Sequence, residues 1–518
     1  MGEYILAIDC GTQSLRAIIF NSAGRLIEME KIPYEAYIKA GAGEAEQNPE
    51  TYKLALTRAC AGLREKSPGI FSKIIGIGVC SLRDTPVFLD REGNPVRNAI
   101  TWLDERRSPP YFKAKGLYKI ALKIIGMEEA LALTGMEGKT NWVRYNEPDN
   151  WEKTHKILMV SGYLNYLLTG EFNDSIAGQI GHIPLNYKKQ RWCREGELNM
   201  TIFPIEQEKL PLLFQPGEEL GRITKKASEE FGLQAGLPVI ACGSDKGCET
   251  VGMGVLDKKS ACLSFGTSAT VQTTSDKYFE PLSFMPSYTA PIPGRFNPEV
   301  QIYRGYWMIT WFKNEFGYKE KAEAEAEGVI PEKLLNNLLE ETKPGSMGLT
   351  ALPYWKPILK EPNQKGAIIG FGDVHTRAHV YRAVIEGLAF ALKDGLRKIE
   401  KTGHCRALEL AASGGASQSD QICQIAADIF NRPIYRGPTC ESSGLGTAAI
   451  TAAGLELYAD IQSAVKEMSG VKRYFQPNPA NVDLYDKQFR KVYGKMSATL
   501  AKLDLSIRKI FDYPEMVK

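Results

Sequence analysis

The chain has 518 residues, 43% of them hydrophobic, and its 64 lysines and arginines nearly balance 61 aspartates and glutamates for a formal net charge of +3. That length exceeds a single core and suits two large domains, while the balanced charge offers no basic stripe of the kind that announces nucleic acid. No apolar segment approaches membrane-spanning length, and the N-terminus enters a strand directly, without a basic flank or cleavage site, so the cytosol is the expected compartment. Met1-Gly2 lacks the serine or threonine that a myristoylation signal requires, since Leu6 stands in its place. The ten cysteines are scattered without a Cys-x-x-Cys, and Cys242, Cys262 and Cys423 fall in apolar patterns, so buried reduced thiols are expected.

Tyr4 to Asp9 and Leu15 to Phe20 are aliphatic enough to be two paired strands joined by Cys10-Gly11-Thr12-Gln13-Ser14, with a further turn at Ser22-Ala23-Gly24. Consecutive N–H groups in a tight glycine turn make an anion-binding concavity that suits a phosphate. Asp9 ends the first strand beside it, where an acidic residue suits magnesium, and Arg16 follows the turn. The next buried strand, Ile74 to Cys80, leads into Ser81-Leu82-Arg83-Asp84-Thr85, a strand from Val87 to Asp90, a Gly93-Asn94 turn, and then Trp102-Leu103-Asp104. Arg83 and Asp84 could form a surface ion pair, but their place after a buried strand favours ligand contact. Gly138-Lys139-Thr140 imitates the end of a P-loop, yet the required first glycine would fall at Leu133 and no strand leads in.

The strand-turn-strand unit recurs in the second half. Val239 to Cys242 is a short buried strand between Pro238 and Gly243, and Asp245 stands at its carboxyl lip, as a turn former, a helix cap or a ligand-facing base. Ala261 to Phe265 and Ala269 to Thr274 then alternate like paired strands joined by Gly266-Thr267-Ser268. Two such units about 250 residues apart predict two related domains facing one nucleotide. A carboxylate base beside a phosphate cradle points to phosphoryl transfer.

Further along, Lys319 to Glu327 predicts a solvated helix face. His375 and His379 have helical metal-ligand spacing but no third ligand, which argues against a metal there. Arg382 to Ile399 predicts an amphipathic helix with Val384, Leu388, Leu392 and Leu396 inward. Leu408 to Ala412 predicts a strand, Ser413-Gly414-Gly415-Ala416 its turn, and Ile422, Ile425, Ala426 and Ile429 the apolar face of the next helix. Backbone at paired glycines can approach a flat ring closely. Glu441 to Leu455 is dense in glycine and alanine; its Gly444-Leu445-Gly446-Thr447-Ala448-Ala449 spells a dinucleotide fingerprint, but polar residues rather than a strand precede it, so helix packing is expected.

These segments together resemble the FGGY carbohydrate kinases, over nearly the whole chain. Asp9 to Arg16 looks like that family's first phosphate motif, Ser264 to Ser268 like its second, and Gly243-Ser244-Asp245 like the segment that carries its catalytic aspartate. The resemblance implies an α/β chain of two actin-like, ribonuclease-H-like domains with the active site in the cleft between them. It divides the chain into an N-terminal sugar-binding domain at residues 1–242, a C-terminal ATP-binding domain at 243–474 and a helical tail at 475–518 packed on the body. It implies ATP and Mg2+, with Asp245 as catalytic base. Asp9 and Asp245 would lie at the metal, and Gly11, Thr12, Gln13, Ser14, Arg16, Gly266, Thr267, Gly414, Gly415 and Ser419 around the nucleotide. Arg83, Asp84, Trp102, Asp104 and Asp245 would surround the acceptor, a small sugar or polyol. Neither nucleic acid nor membrane is an expected partner, and a homodimer is compatible with the family.

Departures from the family bear on the acceptor. The loop between Gly135 and Lys139-Thr140-Asn141-Trp142 is cut short, and Asp84 stands where glycerol kinases have glutamate. The Met285 to Phe316 region, with Arg304, Trp307 and Trp311, is faintly similar to quorum-signal hydroxyketone kinases of the same family. From another class, an actin- or chaperone-like ATPase would share the two-domain cleft but would need no polyol-gripping groups.

Overall fold

The computed structural model describes residues 3–38, 41, 43–109, 128–356, 361 and 363–511. The Met1-Gly2 pair and the last seven residues of the tail lie outside that set. Two six-stranded sheets organise the molecule. Numbering only their strands, the first contains β1 (Tyr4–Cys10), β2 (Ser14–Asn21), β3 (Leu26–Pro33), β4 (Ile74–Ser81), β5 (Glu219–Arg222) and β6 (Pro238–Ser244), in the order β3-β2-β1-β4-β6-β5. The second contains β7 (Ser260–Phe265), β8 (Ala269–Gln272), β9 (Glu299–Ile302), β10 (Glu409–Ser413), β11 (Ile434–Arg436) and β12 (Arg473–Phe475), in the order β9-β8-β7-β10-β11-β12. In those orders both sheets show the same run of pairings: antiparallel, antiparallel, parallel, parallel, antiparallel. The chain has built one α/β sheet twice.

Each sheet is covered on both faces, which is why its central strands read as near-continuous apolar runs. On β1 the alternation sends Leu6 and Ile8 toward α1 (Pro49–Lys66), where they meet Tyr52, Leu56 and Leu63, and sends Ile5 and Ala7 to the opposite face. That opposite face is covered by α2 (Asp245–Gly252) and a helix from the far end of the chain, through Val251, Leu445, Ala448 and Ala449. In the second sheet, Leu263 and Val271 pack against Val384, Leu388, Leu392 and Leu396 of α3 (Arg377–Gly403). That helix starts about one and a half turns before the expected start at Arg382, because Thr376 and His379 close a capping box over its first turn.

The glycine-alanine segment forms α5 (Ser442–Gly454), while α4 (Asp420–Phe430) follows the Gly414-Gly415 turn. Side chains added at Gly446 or Gly252 would overlap the Cys248 and Ser442 carbonyl oxygens, so α2 and α5 approach backbone to backbone. The fingerprint-like glycines are helix packing, as expected. All ten cysteines are free thiols, and only Cys405 and Cys440 are not buried. No helix among the described residues is long and apolar enough to cross a membrane.

Candidate active site

The parallel strands bring the predicted residues together. β1, β4 and β6 are neighbours, and their last residues are in register, Cys10 opposite Ser81 and Ser81 opposite Ser244. The Gly11-Thr12-Gln13 turn, the Arg83-Asp84 pair and Asp245 therefore leave one edge of the first sheet side by side, at the carboxyl ends of strands, where open α/β sheets carry ligands. The second sheet does the same. Ser264 is in register with Ser413, so the Gly266 and Gly414 turns emerge adjacent to one another. Gly414 has φ of +83°, and a Cβ there would stand 2.8 Å from the Phe265 carbonyl carbon. Gly415, by contrast, is exposed, and a Cβ there would meet nothing within 4 Å.

Around the first turn, Gly11 N–H donates to the Ser14 carbonyl at 2.9 Å and the Tyr34 hydroxyl donates to the Gly11 carbonyl at 2.7 Å. The Thr12 hydroxyl accepts the Trp102 indole N–H at 3.0 Å, so the first Gly-Thr turn and the aromatic residue expected beside the acceptor are directly joined. Gln13 is exposed and Ser14 begins β2. Arg16, opposite Asp9 across the hairpin, reaches Asp9 Oδ2 at 3.2 Å and Glu441 Oε2 at 3.3 Å. Burial raises the Asp9 carboxyl above its ordinary value, although the Arg16 charge opposes this. In the second turn Thr267 is exposed, and the Gly266 and Thr267 carbonyls are tied to the Tyr306 and Trp307 amides at 3.0 and 3.3 Å. The Ser419 hydroxyl caps α4 by accepting the Ile422 amide at 3.3 Å.

Asp245 does not end the strand. Ser244 caps the helix, its hydroxyl accepting the Gly247 amide at 3.2 Å, and Asp245 is the first helical residue, a position that favours a carboxylate. Its side chain keeps 28% of its surface exposed, and Arg83 Nε lies 3.8 Å from its Oδ1. Burial pushes its pKa up to about 6 against the pull of Arg83 and Lys246, with the neighbouring Asp9 charge adding to the rise. A carboxylate poised there is ionised at neutral pH and basic enough to receive a proton.

Arg83 and Asp84 are close to this centre but do not pair with each other. Arg83 donates both terminal nitrogens to Glu299 at 2.9 and 3.0 Å, its Nε to Ser244 at 3.3 Å, and lies 5.2 Å over the Tyr288 ring. Asp84, held at φ of +50°, accepts Lys139 Nζ at 2.6 Å and the His182 backbone amide at 2.9 Å, with His182 Nδ1 at 2.8 Å. Burial raises the Asp84 carboxyl, but the His182 and Lys139 charges outweigh it and hold the group well below the usual range. Asp104 stands apart from these groups: its carboxylate takes the Ala45 amide at 2.6 Å and the Arg106 guanidinium at 2.8 Å, and its side chain is 1% exposed.

Sequence reasoning missed Glu299, His182, Glu441 and Lys246. It saw Lys139 only in a false P-loop and at the edge of the shortened loop, not as a partner of Asp84. Lys246 alone carried a local signal, as the neighbour of Asp245. The others meet their partners across separations such as the 216 residues between Arg83 and Glu299.

Residues 4–252 match the N-terminal domain of the FGGY family of carbohydrate kinases and residues 261–455 its C-terminal domain. The uncharacterized sugar kinase YgcE of Escherichia coli K12 is 29% identical over 96% of this chain and 93% of its own. A xylulose kinase of Lactococcus lactis is 28% identical over 95% of this chain and 97% of its own. In three dimensions a ligand-bound xylulose kinase from Lactobacillus acidophilus superposes with a TM-score of 0.80 at 23% identity, covering 96% of this chain and 98% of that one. The doubled sheet, the two Gly-Thr turns and both domain matches agree: the chain belongs to the FGGY family of carbohydrate kinases, which transfer phosphate from ATP to a sugar.

Proposed function

We propose that this kinase phosphorylates a hydroxyl of a small sugar or polyol, with Asp245 as the general base. The observation that carries the reading is the convergence on one sheet edge of the Gly11 turn, Arg83 and Asp245, with Arg83 Nε 3.8 Å from the Asp245 carboxylate. In the step itself, Asp245 accepts the hydroxyl proton as the acceptor oxygen bonds to the γ-phosphorus. The bond from that phosphorus to the bridging oxygen breaks, and its electron pair leaves with ADP. Arg83, pinned by Glu299 and Ser244, orients the acceptor through its remaining N–H groups, while Trp102 offers a ring face to its carbons.

The nucleotide side fits the residues present. The Gly11 and Gly266 turns offer backbone N–H groups to the phosphates, and the open face of Gly415 leaves room for a flat base. Among the described residues no group of three or more His, Cys, Asp or Glu is gathered, so a cation beside Asp9 and Asp245 would take its other ligands from phosphate and water, as magnesium commonly does. Bound there, Mg2+ would neutralise the triphosphate facing two carboxylates.

The likeness to proteins named as xylulose kinases supports ketopentoses as the first acceptors to try. An ATP-consumption screen across glycerol, tetritols, pentitols, ketopentoses and hydroxyketones tests the reading: ADP release should appear only with a matching acceptor. Steady hydrolysis unaffected by every acceptor would point instead to an actin-like ATPase.

A further inference from the structure

Lys246 follows Asp245 in the first turn of α2, and its side chain reaches across to β7. Its Nζ lies 2.9 Å from Glu249 Oε2 and 2.6 Å from the Ser264 hydroxyl, and Ser264 in turn donates to Glu249 Oε1 at 2.9 Å. Glu249 and Ser264 are 3% and 0% exposed, so the ammonium sits in a built socket, with 21% of the lysine side chain still open. Ser264 is two residues before Gly266, and a Cβ built on Gly266 would stand 3.5 Å from Lys246 Nζ. The ammonium therefore lies against the second Gly-Thr turn, on the element that also carries the base. A second hold fixes this geometry: the Gln272 amide donates to the Lys246 carbonyl at 2.7 Å, tying the helix start to β8.

Building on the kinase reading above, we infer that Lys246 is a catalytic residue whose ammonium contacts the transferred γ-phosphoryl group at the Gly266-Thr267 turn. Without nucleotide, Glu249 neutralises it. An ammonium is a compact point charge with three donors. With Glu249 and Ser264 taking two, the third is available to a phosphate oxygen. As the bond to ADP breaks, charge on the phosphoryl oxygens is met by a cation that needs no reorganisation.

The inference separates ligands that carry a γ-phosphate from those that do not. Binding of ADP and of the β,γ-imido analogue of ATP, both with magnesium, should be measured by calorimetry on wild type, Lys246→Met and the double variant Lys246→Met with Glu249→Gln. Without the charge-assisted hydrogen bond from the ammonium, analogue affinity should be about 10- to 100-fold weaker in Lys246→Met, with ADP affinity changed by less than about threefold. The double variant removes the stranded carboxylate and should recover thermal stability while keeping the γ-dependent loss. Equal weakening of both nucleotides, or recovery of analogue affinity in the double variant, would reduce Lys246 to a partner for Glu249 and overturn the inference. A rise in acceptor KM with both nucleotide affinities intact would overturn it too, by placing the ammonium on the sugar. A wild type that binds neither nucleotide would take down the kinase reading and this inference together.

Discussion

At Asp245 burial and charge act in opposite directions, and the resulting pKa of about 6 makes its protonation state testable. A sugar hydroxyl is too weak an acid to ionise near neutral pH, so its proton must leave as the new bond forms. Asparagine keeps the volume of Asp245 but cannot accept that proton. General bases contribute about 10²- to 10⁴-fold, so Asp245→Asn should lower kcat by that order per folded molecule with nucleotide affinity near normal. A structural aspartate would instead show lower stability and unchanged turnover of the folded fraction. The pH dependence follows with its sign. The base works only when ionised, so kcat/KM should fall as pH drops through about 6. Stability runs the other way: with the folded pKa above the ordinary 3.8, this group's contribution is complete below that value and is lost as pH rises through about 6. Arg83 holds the carboxyl down, so Arg83→Ala should move the acid limb of kcat/KM upward. Because it also strips donors from the acceptor pocket and strands Glu299, it should raise the acceptor KM at least about tenfold. A change confined to the KM for ATP would put Arg83 on the wrong side of the cleft.

The two glycines of one turn do different work. Gly414 needs its positive φ and its close approach to Phe265, whereas a side chain at Gly415 would meet nothing within 4 Å. Alanine at Gly414 should cost about 1 to 2 kcal/mol from the backbone alone, with further loss from displacing the Gly266 turn, and should lower the melting temperature. Alanine at Gly415 should leave melting unchanged but weaken nucleotide binding, because only a bound base would meet the new methyl. Unchanged nucleotide affinity in a stable Gly415→Ala protein would remove the adenosine from this turn. Elements of this size were also the most legible in the sequence. β1, β2, β7 and β8 announce themselves because short, largely apolar runs end at glycine turns, and the repeat of that unit foretells the doubled sheet. Boundaries were less so: Thr273 and Thr274 look like strand residues, but their hydroxyls leave the ladder to bond the Ser260 and Val255 carbonyls at 2.7 Å each. The site was legible where sheet register decides position, as for Arg83 and Asp245. It was not where a charge finds its partner far along the chain, as with Glu299 and Glu441, or where a local partner claims the side chain, as Arg106 does for Asp104.

One of those distant pairs gives the whole molecule its mechanical character. Arg83, just past β4 of the first sheet, clasps Glu299 on the second, so a charge pair at the expected acceptor position also joins the two halves, while Arg16 on β2 reaches Glu441 at the head of α5, the helix that covers the first sheet. Ligand binding and domain closure are therefore predicted to couple through the Arg83–Glu299 pair. A cleft that admitted water would let ATP hydrolyse without phosphorylating a sugar, which gives closure a chemical purpose. Small-angle scattering should show a more compact particle with ATP analogue plus acceptor than with neither. Glu299→Gln keeps the shape of the clasp but removes its charge. Breaking a buried pair from one side costs about 3 to 5 kcal/mol, so the ligand-free variant should be less stable to denaturant and more open than wild type. Ligands supply their own bridges between the halves, so the variant should still compact when both are bound, at higher concentrations of each. Identical scattering profiles with and without ligands, in wild type and variant alike, would show a molecule that does not close, and the coupling through Arg83 and Glu299 would fall with it.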